Sequence, residues 1–331
     1  MRKVILAVLL MATTVSFGQL TEKEKRQRER IELPDGWSQG GIFSINGTQT
    51  SFTNWNAGGV NSIAIGALMN YNINLKKGLN TWENNLSLAY GMLNQQDVGW
   101  IKTDDRIDFT SKYGRQFNDS SAWYSAALIN FNTQMTDGFA LPNDSVAVSK
   151  FLAPGYLLAA LGADYKPSSQ LSLFIAPVTG KFTFVNDQDL ANAGAFGVTG
   201  AILDPITGAI VTPGERFRPE LGGYLKMGYN IGFMPDTAGV KQGSFTTSLG
   251  LFSNYLNNPG NIDVNWETLT QIKLWKAITL TLSTHLIYDD DIDIGFDSND
   301  DGTQDGAGPR TQFKQIFGVG LTFNLGPRKK N

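Results

Sequence analysis

The chain has 331 residues, a formal net charge of −3 and no cysteine, with charged residues at 17% and aromatic residues at 11%. That balance leaves no basic excess for nucleic acid, no disulfide framework and no thiolate metal site. No apolar run reaches the ~18 residues of a membrane helix, so any crossing of a bilayer has to be made with strands.

Residues 1–18 place Arg2 and Lys3 before an apolar run, with Ser16 and Gly18 ahead of Gln19. This is the pattern of a cleaved secretory signal peptide. No cysteine follows it, which excludes a lipoprotein anchor. Residues 19–36 form a charged leader centred on TEKEKRQRER, expected to stay in the periplasm outside the fold. From residue 37 to residue 325 the chain alternates apolar and polar side chains with a period of two, the signature of strands whose faces meet different solvents.

The first strand is expected near residues 37–50, with Phe43 and Ile45 on one side and Ser44 and Asn46 on the other. The second sets Ile63, Ile65, Met69, Tyr71 and Ile73 against Ser62, Gly66, Asn70 and Asn72. A turn at Lys76-Lys77-Gly78 returns the chain into a third, with Trp82, Leu86, Leu88, Tyr90 and Met92 on the apolar face. The fourth is expected near 105–115, the fifth from Trp123 to Phe131 and the sixth from Leu157 to Tyr165. The seventh begins at Leu171 and is interrupted by Pro177, after which the apolar phase slips to Phe182 and Phe184, as a bulge would cause. Further strands are expected around 225–233, 245–255, 262–274 and 278–288. The last, 312–325, reads QFKQIFGVGLTFNL and ends before the basic tail 326–331.

The connections alternate as well. Those near 76–78, 118–121, 166–170, 234–241 and 275–277 are brief, while 95–104, 136–150, 186–219 and 289–310 are longer, with 257–261 an exception. A soluble β-sandwich, the structural alternative, gives no reason for such asymmetry, whereas a bacterial barrel with both termini in the periplasm requires it. The expected fold is all-β: a transmembrane antiparallel up-and-down β-barrel of about 12 strands in the outer membrane of a Gram-negative bacterium.

Parity sends Glu83, Arg106, Asp108, Lys112, Asp164, Lys226, Asp263, Glu267, Lys273 and Lys314 into the lumen, because charges facing lipid would cost a few kcal/mol each. Both signs are mixed, which favours a cross-linked interior over an ion-selective ring. Leu68, Tyr124, Tyr156, Phe174, Tyr224 and Phe252 add inward bulk. The one histidine, His285, shares the lumen face with Ser283. A serine activated by an oriented histidine is the chemistry of an outer-membrane phospholipase, but that pair must meet lipid substrate, and a hydrogen-bonded lumen histidine is the simpler expectation. No catalytic residue is assigned.

Between the last two strands, Asp297, Asn299 and Asp301 precede Gly302, and Asp305 follows. Oxygen ligands on alternating residues ahead of a glycine match the opening of a calcium loop, but the glutamate expected at its twelfth position is Gly308. Calcium of millimolar affinity is the only cofactor the sequence offers; the alternative is a solvated acidic loop.

The stretch GWSQGGIFSINGTQTSFTNWNAGGVNS resembles an uncharacterised family of Gram-negative outer-membrane barrels, the domain of unknown function numbered 3078, through Asn54, Trp55, Ala57, Gly58, Gly59 and Asn61. The resemblance implies a barrel and brings no activity. Tryptophan suits an interfacial anchor and the glycines a tight return. The expected partners are outer-membrane lipid, lipopolysaccharide and envelope proteins. The expected role is a non-catalytic narrow channel or scaffold, with 186–219 as a plug or partner loop. The alternative is uptake of small apolar molecules, which needs a lateral opening.

Overall fold

The computed structural model describes residues 35–51, 60–140, 145–296 and 305–326. Twelve strands build the wall. They are β1 (Gly36–Thr50), β2 (Ser62–Lys77), β3 (Asn80–Gln95), β4 (Gly99–Gln116), β5 (Trp123–Thr133) and β6 (Gly155–Tyr165). They continue as β7 (Leu171–Phe184), β8 (Phe217–Pro235), β9 (Lys241–Asn254), β10 (Ile262–Trp275), β11 (Ile278–Tyr288) and β12 (Gln312–Leu325). Each pairs antiparallel with its sequence neighbours, and β12 returns to β1, so the sheet closes on itself in up-and-down order. Closure removes the edges that an open sheet would expose.

Both ends of the chain's barrel lie on one rim. There the connections are short: 78–79, 117–122, 166–170, 236–240 and 276–277. Gly78 takes a φ of 55° in the first of them, and its N–H donates to both carboxylate oxygens of Asp35 at 3.0 and 3.2 Å. On the opposite rim run 51–61, 134–154, 185–216, 255–261 and 289–311. The expected long connection at 95–104 is corrected: β3 and β4 continue through it and are joined by residues 96–98 alone. An unpaired Thr103 shifts the register between Gly91↔Asp104 and Met92↔Lys102, which broke the sequence period and hid the strand.

The irregularity at Pro177 is a bulge. The ladder to β6 passes from Leu161↔Val178 to Ala163↔Ile175, and that to β8 from Gly222↔Thr179 to Tyr224↔Ala176. Pairing resumes on both sides, and the Tyr255 hydroxyl donates to the Pro177 carbonyl at 3.1 Å. The wall stays closed there.

The outer surface carries large exposed apolar side chains from strands all round the circle, among them Ile65, Ile129, Leu161, Ile175, Leu274 and Phe317. A soluble protein does not expose a continuous belt of this kind, and strands of 11–19 residues meet or exceed the roughly 9–11 that a tilted crossing needs. Aromatic side chains border the belt. Near the short turns Trp37 meets Trp82 (centroids 6.0 Å) and Trp123 meets Tyr165 (4.7 Å), while Phe217 meets Phe182 and Phe184 on the loop side. Polar atoms on this face satisfy one another across strands: Trp82 Nε1 donates to Ser111 Oγ, Trp266 Nε1 to Thr247 Oγ1, and the Thr268 and Thr284 hydroxyls lie 2.7 Å apart. The architecture is that of a transmembrane barrel.

Candidate functional site in the barrel lumen

Inward side chains of β5 to β8 pack into an apolar cluster inside the lumen. Leu128 and Phe174 are buried there with Ala126, Ala160 and Ala176, and Leu158 and Tyr224 lean against them. Alanines on neighbouring strands make room for the phenylalanine, so this arc of the wall is filled rather than open.

Seven of the ten charged residues assigned inward meet in ion pairs; Asp108, Lys226 and Lys273 are not among them, and Lys273 is exposed. Lys112 Nζ lies 2.6 Å from Asp164 Oδ2 and 3.3 Å from Glu83 Oε2, Lys166 joins Glu83, and Ser172 donates to Asp164 at 2.8 Å. Higher up, Arg106 Nη1 meets Glu267 Oε1 at 2.6 Å. Arg106 belongs to β4 and Glu267 to β10, six strands apart in a ring of twelve and therefore opposite each other. Their ion pair spans the lumen. Asp108 accepts from Asn130 at 3.0 Å, and Lys314 on β12 reaches Asp104 on β4 at 2.6 Å. Near the loop rim Lys181 holds Asp263 at 2.7 Å and Asp289 at 2.9 Å, with Glu220 at 3.7 Å shared with Arg218 at 2.7 Å. Arg218 also approaches Asp291 at 3.2 Å. Of these charges, sequence parity assigned Glu83, Arg106, Asp108, Lys112, Asp164, Asp263, Glu267 and Lys314 to the lumen; it did not assign Asp104, Lys166, Lys181, Arg218, Glu220, Asp289 or Asp291, of which Lys166 lies in a turn and Lys181 after the Pro177 bulge.

His285 faces the lumen as expected. Its Nε2 lies 3.0 Å from Asn265 Oδ1 and 3.6 Å from Glu267 Oε1. The imidazole therefore joins the Arg106–Glu267 brace. Its recorded partners are an amide and a carboxylate, and Ser283 is not among them.

Over the mouth, the loops 134–154 and 185–216 share a small core of Ala153, Val185, Ala191 and Val198, with Leu190 and Phe196 against it. A five-residue helix, Gln188–Asn192, starts at Asp187, whose carboxylate accepts from the N–H groups of Asp189 and Leu190. Lys150 Nζ sits 2.6 Å from the same carboxylate and, together with those amides, holds it below the usual aspartate range. The Gly197 carbonyl accepts from Arg218 Nη1 at 2.9 Å, which ties this cap to the rim cluster. Beyond it the tip hairpin, Ile202–Leu203 paired with Ile210–Thr212, stands exposed. Asp204 is held below its ordinary range by the backbone N–H groups of Thr207 and Ile206.

Of the calcium-loop residues, Asp297, Asn299 and Asp301 lie outside the described residues. Asp305 is described, at the loop end of a hairpin in which Asp293–Phe296 pairs with Gly306–Pro309. Among the described residues, no group of three His, Cys, Asp or Glu side chains is arranged to hold a metal ion. Of the family-motif residues, Asn54, Trp55, Ala57, Gly58 and Gly59 lie outside the described residues. Asn61 donates to Gln96 Oε1 at 2.9 Å, linking two loops of the same rim.

No curated protein matches the chain. Among solved structures, similarity is found to the COG4313 outer membrane channel from Pseudomonas putida F1, with TM-score 0.37 and 10% identity over 88% of this chain and 97% of that one. The translocator domain of autotransporter NalP from Neisseria meningitidis gives 0.34 and 11% over 91% and 95%. The beta domain of the Bordetella autotransporter BrkA gives 0.31 and 9% over 87% and 99%. At such scores the likeness says nothing of function, and the barrel rests on its own closed register. Residues 47–139, from the end of β1 to just beyond β5 of the twelve-stranded barrel, match the family described as a protein of unknown function (DUF3078).

Proposed function

We propose that the protein is a non-catalytic barrel of the Gram-negative outer membrane, held shut by ion pairs across its lumen and serving as an envelope scaffold. The Arg106–Glu267 pair carries this reading, since side chains from opposite strands meet at 2.6 Å where a wide pore would need open water. The apolar cluster of β5 to β8 and the cap fit the same view. Lipid and lipopolysaccharide surround such a barrel, and the exposed tip hairpin is available to an envelope protein.

Planar-bilayer recording tests the proposal. The intact protein is expected to show no steady porin-like conductance, and the double variant Arg106→Ala, Glu267→Ala to acquire ion-conducting openings. Steady conductance in the intact protein would sink the scaffold and leave a narrow channel. The second reading, uptake of small apolar molecules, draws on the cluster around Phe174. It requires a hydrophobic fluorophore to bind the refolded barrel and to be displaced by Leu128→Glu. Calcium at Asp297, Asn299, Asp301 and Asp305 remains a separate proposal: millimolar calcium should raise the melting temperature, and Asp297→Ala with Asp301→Ala should abolish the rise.

A further inference from the structure

The wall is not equally closed all the way round. Among the described residues, the register between β12 and β1 runs from Gly41↔Leu325 to Asn46↔Gly320, six pairs, whereas each of the other eleven strand pairs is registered over ten or more. Beyond Asn46, residues 47–50 pair with β2 alone, from Gly47↔Ile65 to Thr50↔Ser62. Among the described residues, 312–319 pair with β11 alone, from Gln312↔Ile287 to Val319↔Leu280. Two formed strand edges thus face a slot in the loop-side half of the seam. Along each, one row of backbone N–H and C=O groups is taken up by no register pair among the described residues.

The lips of the slot share the chemistry of the rest of the wall. Phe313 and Phe317, each 62% exposed, and Val319 stand on the lipid side, while Thr48 and Gly318 take the lumen parity. At its foot Asn46 Oδ1 is buried without a hydrogen-bond partner. A Cβ on Gly47 would meet only the Ala64 carbonyl at 3.8 Å, and one on Gly318 only Asn46 atoms at 3.6 and 3.8 Å. Neither glycine puts a side chain over the slot on its own face of the wall.

We propose that this slot is the docking site for one extended amphipathic β-strand of a partner outer-membrane protein, which adds to the free edges of β1 and β12. The proposal rests on the scaffold reading and names its contact. Hydrocarbon gives a strand edge nothing to bond, so an acyl chain could fill the width of the slot but would leave the amides unsatisfied. A peptide strand supplies N–H and C=O groups at the right spacing, and its alternation can present apolar residues to lipid and small polar ones to the lumen.

The absence of native cysteine makes a direct test clean. Extension of the register sets Thr48 opposite Gly318, so Thr48→Cys with Gly318→Cys can lock the slot, while Ser44→Cys with Thr322→Cys serves as control in the paired half. The probe is a synthetic peptide of the chain's own residues 41–50 carrying a photoreactive phenylalanine, added to protein refolded in phosphatidylcholine vesicles. Saturable labelling should map to residues 47–50 and 312–319, fall to background when the upper pair is oxidised, return on reduction, and be untouched by oxidation of the control pair. Three results would overturn the proposal: labelling indifferent to the lock, labelling of 47–50 and 312–319 by a photoreactive phospholipid that excludes the peptide, or crosslinks from Thr48→Cys to residues 52–59 showing that the chain fills its own slot. Conductance of the same samples judges the scaffold separately, since a freely conducting barrel could still bind the peptide and a closed one could fail to.

Discussion

Arg106 and Glu267 show how much one pair of side chains can decide in a barrel. Neither strand is a neighbour of the other, so the pair fixes the distance between opposite walls. Truncating either partner leaves its counterpart partly desolvated. Because the glutamate is about a third exposed, the loss should be roughly 1–3 kcal/mol, at or below the low end for a buried pair. Urea unfolding of Glu267→Ala in detergent should show this loss, and Glu267→Gln a smaller one. At Asp187 the expectation concerns pH. Its carboxyl is held below the ordinary aspartate value, so its contribution is complete above about pH 4 and is lost as pH falls through the lower folded value. Protection factors of the Gln188–Asn192 amides, corrected for the intrinsic pH dependence of exchange, should therefore be higher at neutral pH than in acid, and Asp187→Ala should lower them at pH 7. The sequence displayed which of these residues point inward, since parity alone puts both Glu267 and His285 on the lumen face. It could not display that Glu267 meets Arg106, because that meeting depends on the curvature of six intervening strands.

Among the elements, β12 was legible in full: six apolar or aromatic residues at alternate positions, broken only by Gln315, marked it between residues 312 and 325, the limits the structure has. The upper part of β4 was not, because the single extra residue Thr103 reverses the phase for the residues before it. The cap was hidden for a different reason. Its helix has only five residues and its core only a few small side chains, so neither leaves a periodic trace. The slot beside β1 was equally invisible, since missing backbone bonds do not alter side-chain alternation. Gly197 offers a test of how the cap is attached. Its φ is +78°, and an added Cβ would come within 2.4 Å of Arg218 Nη1 and 2.9 Å of the Asp291 carbonyl. Gly197→Ala should therefore undock the loop, seen as faster protease cleavage within 185–216 with the barrel itself intact. Unchanged cleavage would mean that Arg218 does not fasten the cap.

For the whole molecule, closure is the demanding step. Ser44 and Thr322 bring their hydroxyls within 2.8 Å although 278 positions separate them, and the seam they belong to has the shortest register in the ring among the described residues. Pairing at such separation is entropically the costliest contact to form and should come late. A disulfide between Ser44→Cys and Thr322→Cys is expected to raise the temperature at which the heat-modifiable band converts to the unfolded one on gels. Unaltered conversion would place the weakest seam elsewhere.

The hairpin of Ile202–Leu203 and Ile210–Thr212 has a practical use of its own. Its turn glycine, Gly208, has φ +69° and no heavy atom within 4 Å of where a Cβ would sit, and the rim it crowns is the one opposite both barrel ends. A short epitope spliced in at that glycine would be carried clear of the lipid without disturbing the wall. Antibody staining of unbroken cells would then read out the protein's sidedness and surface copy number, and the same position would display a foreign peptide on the cell.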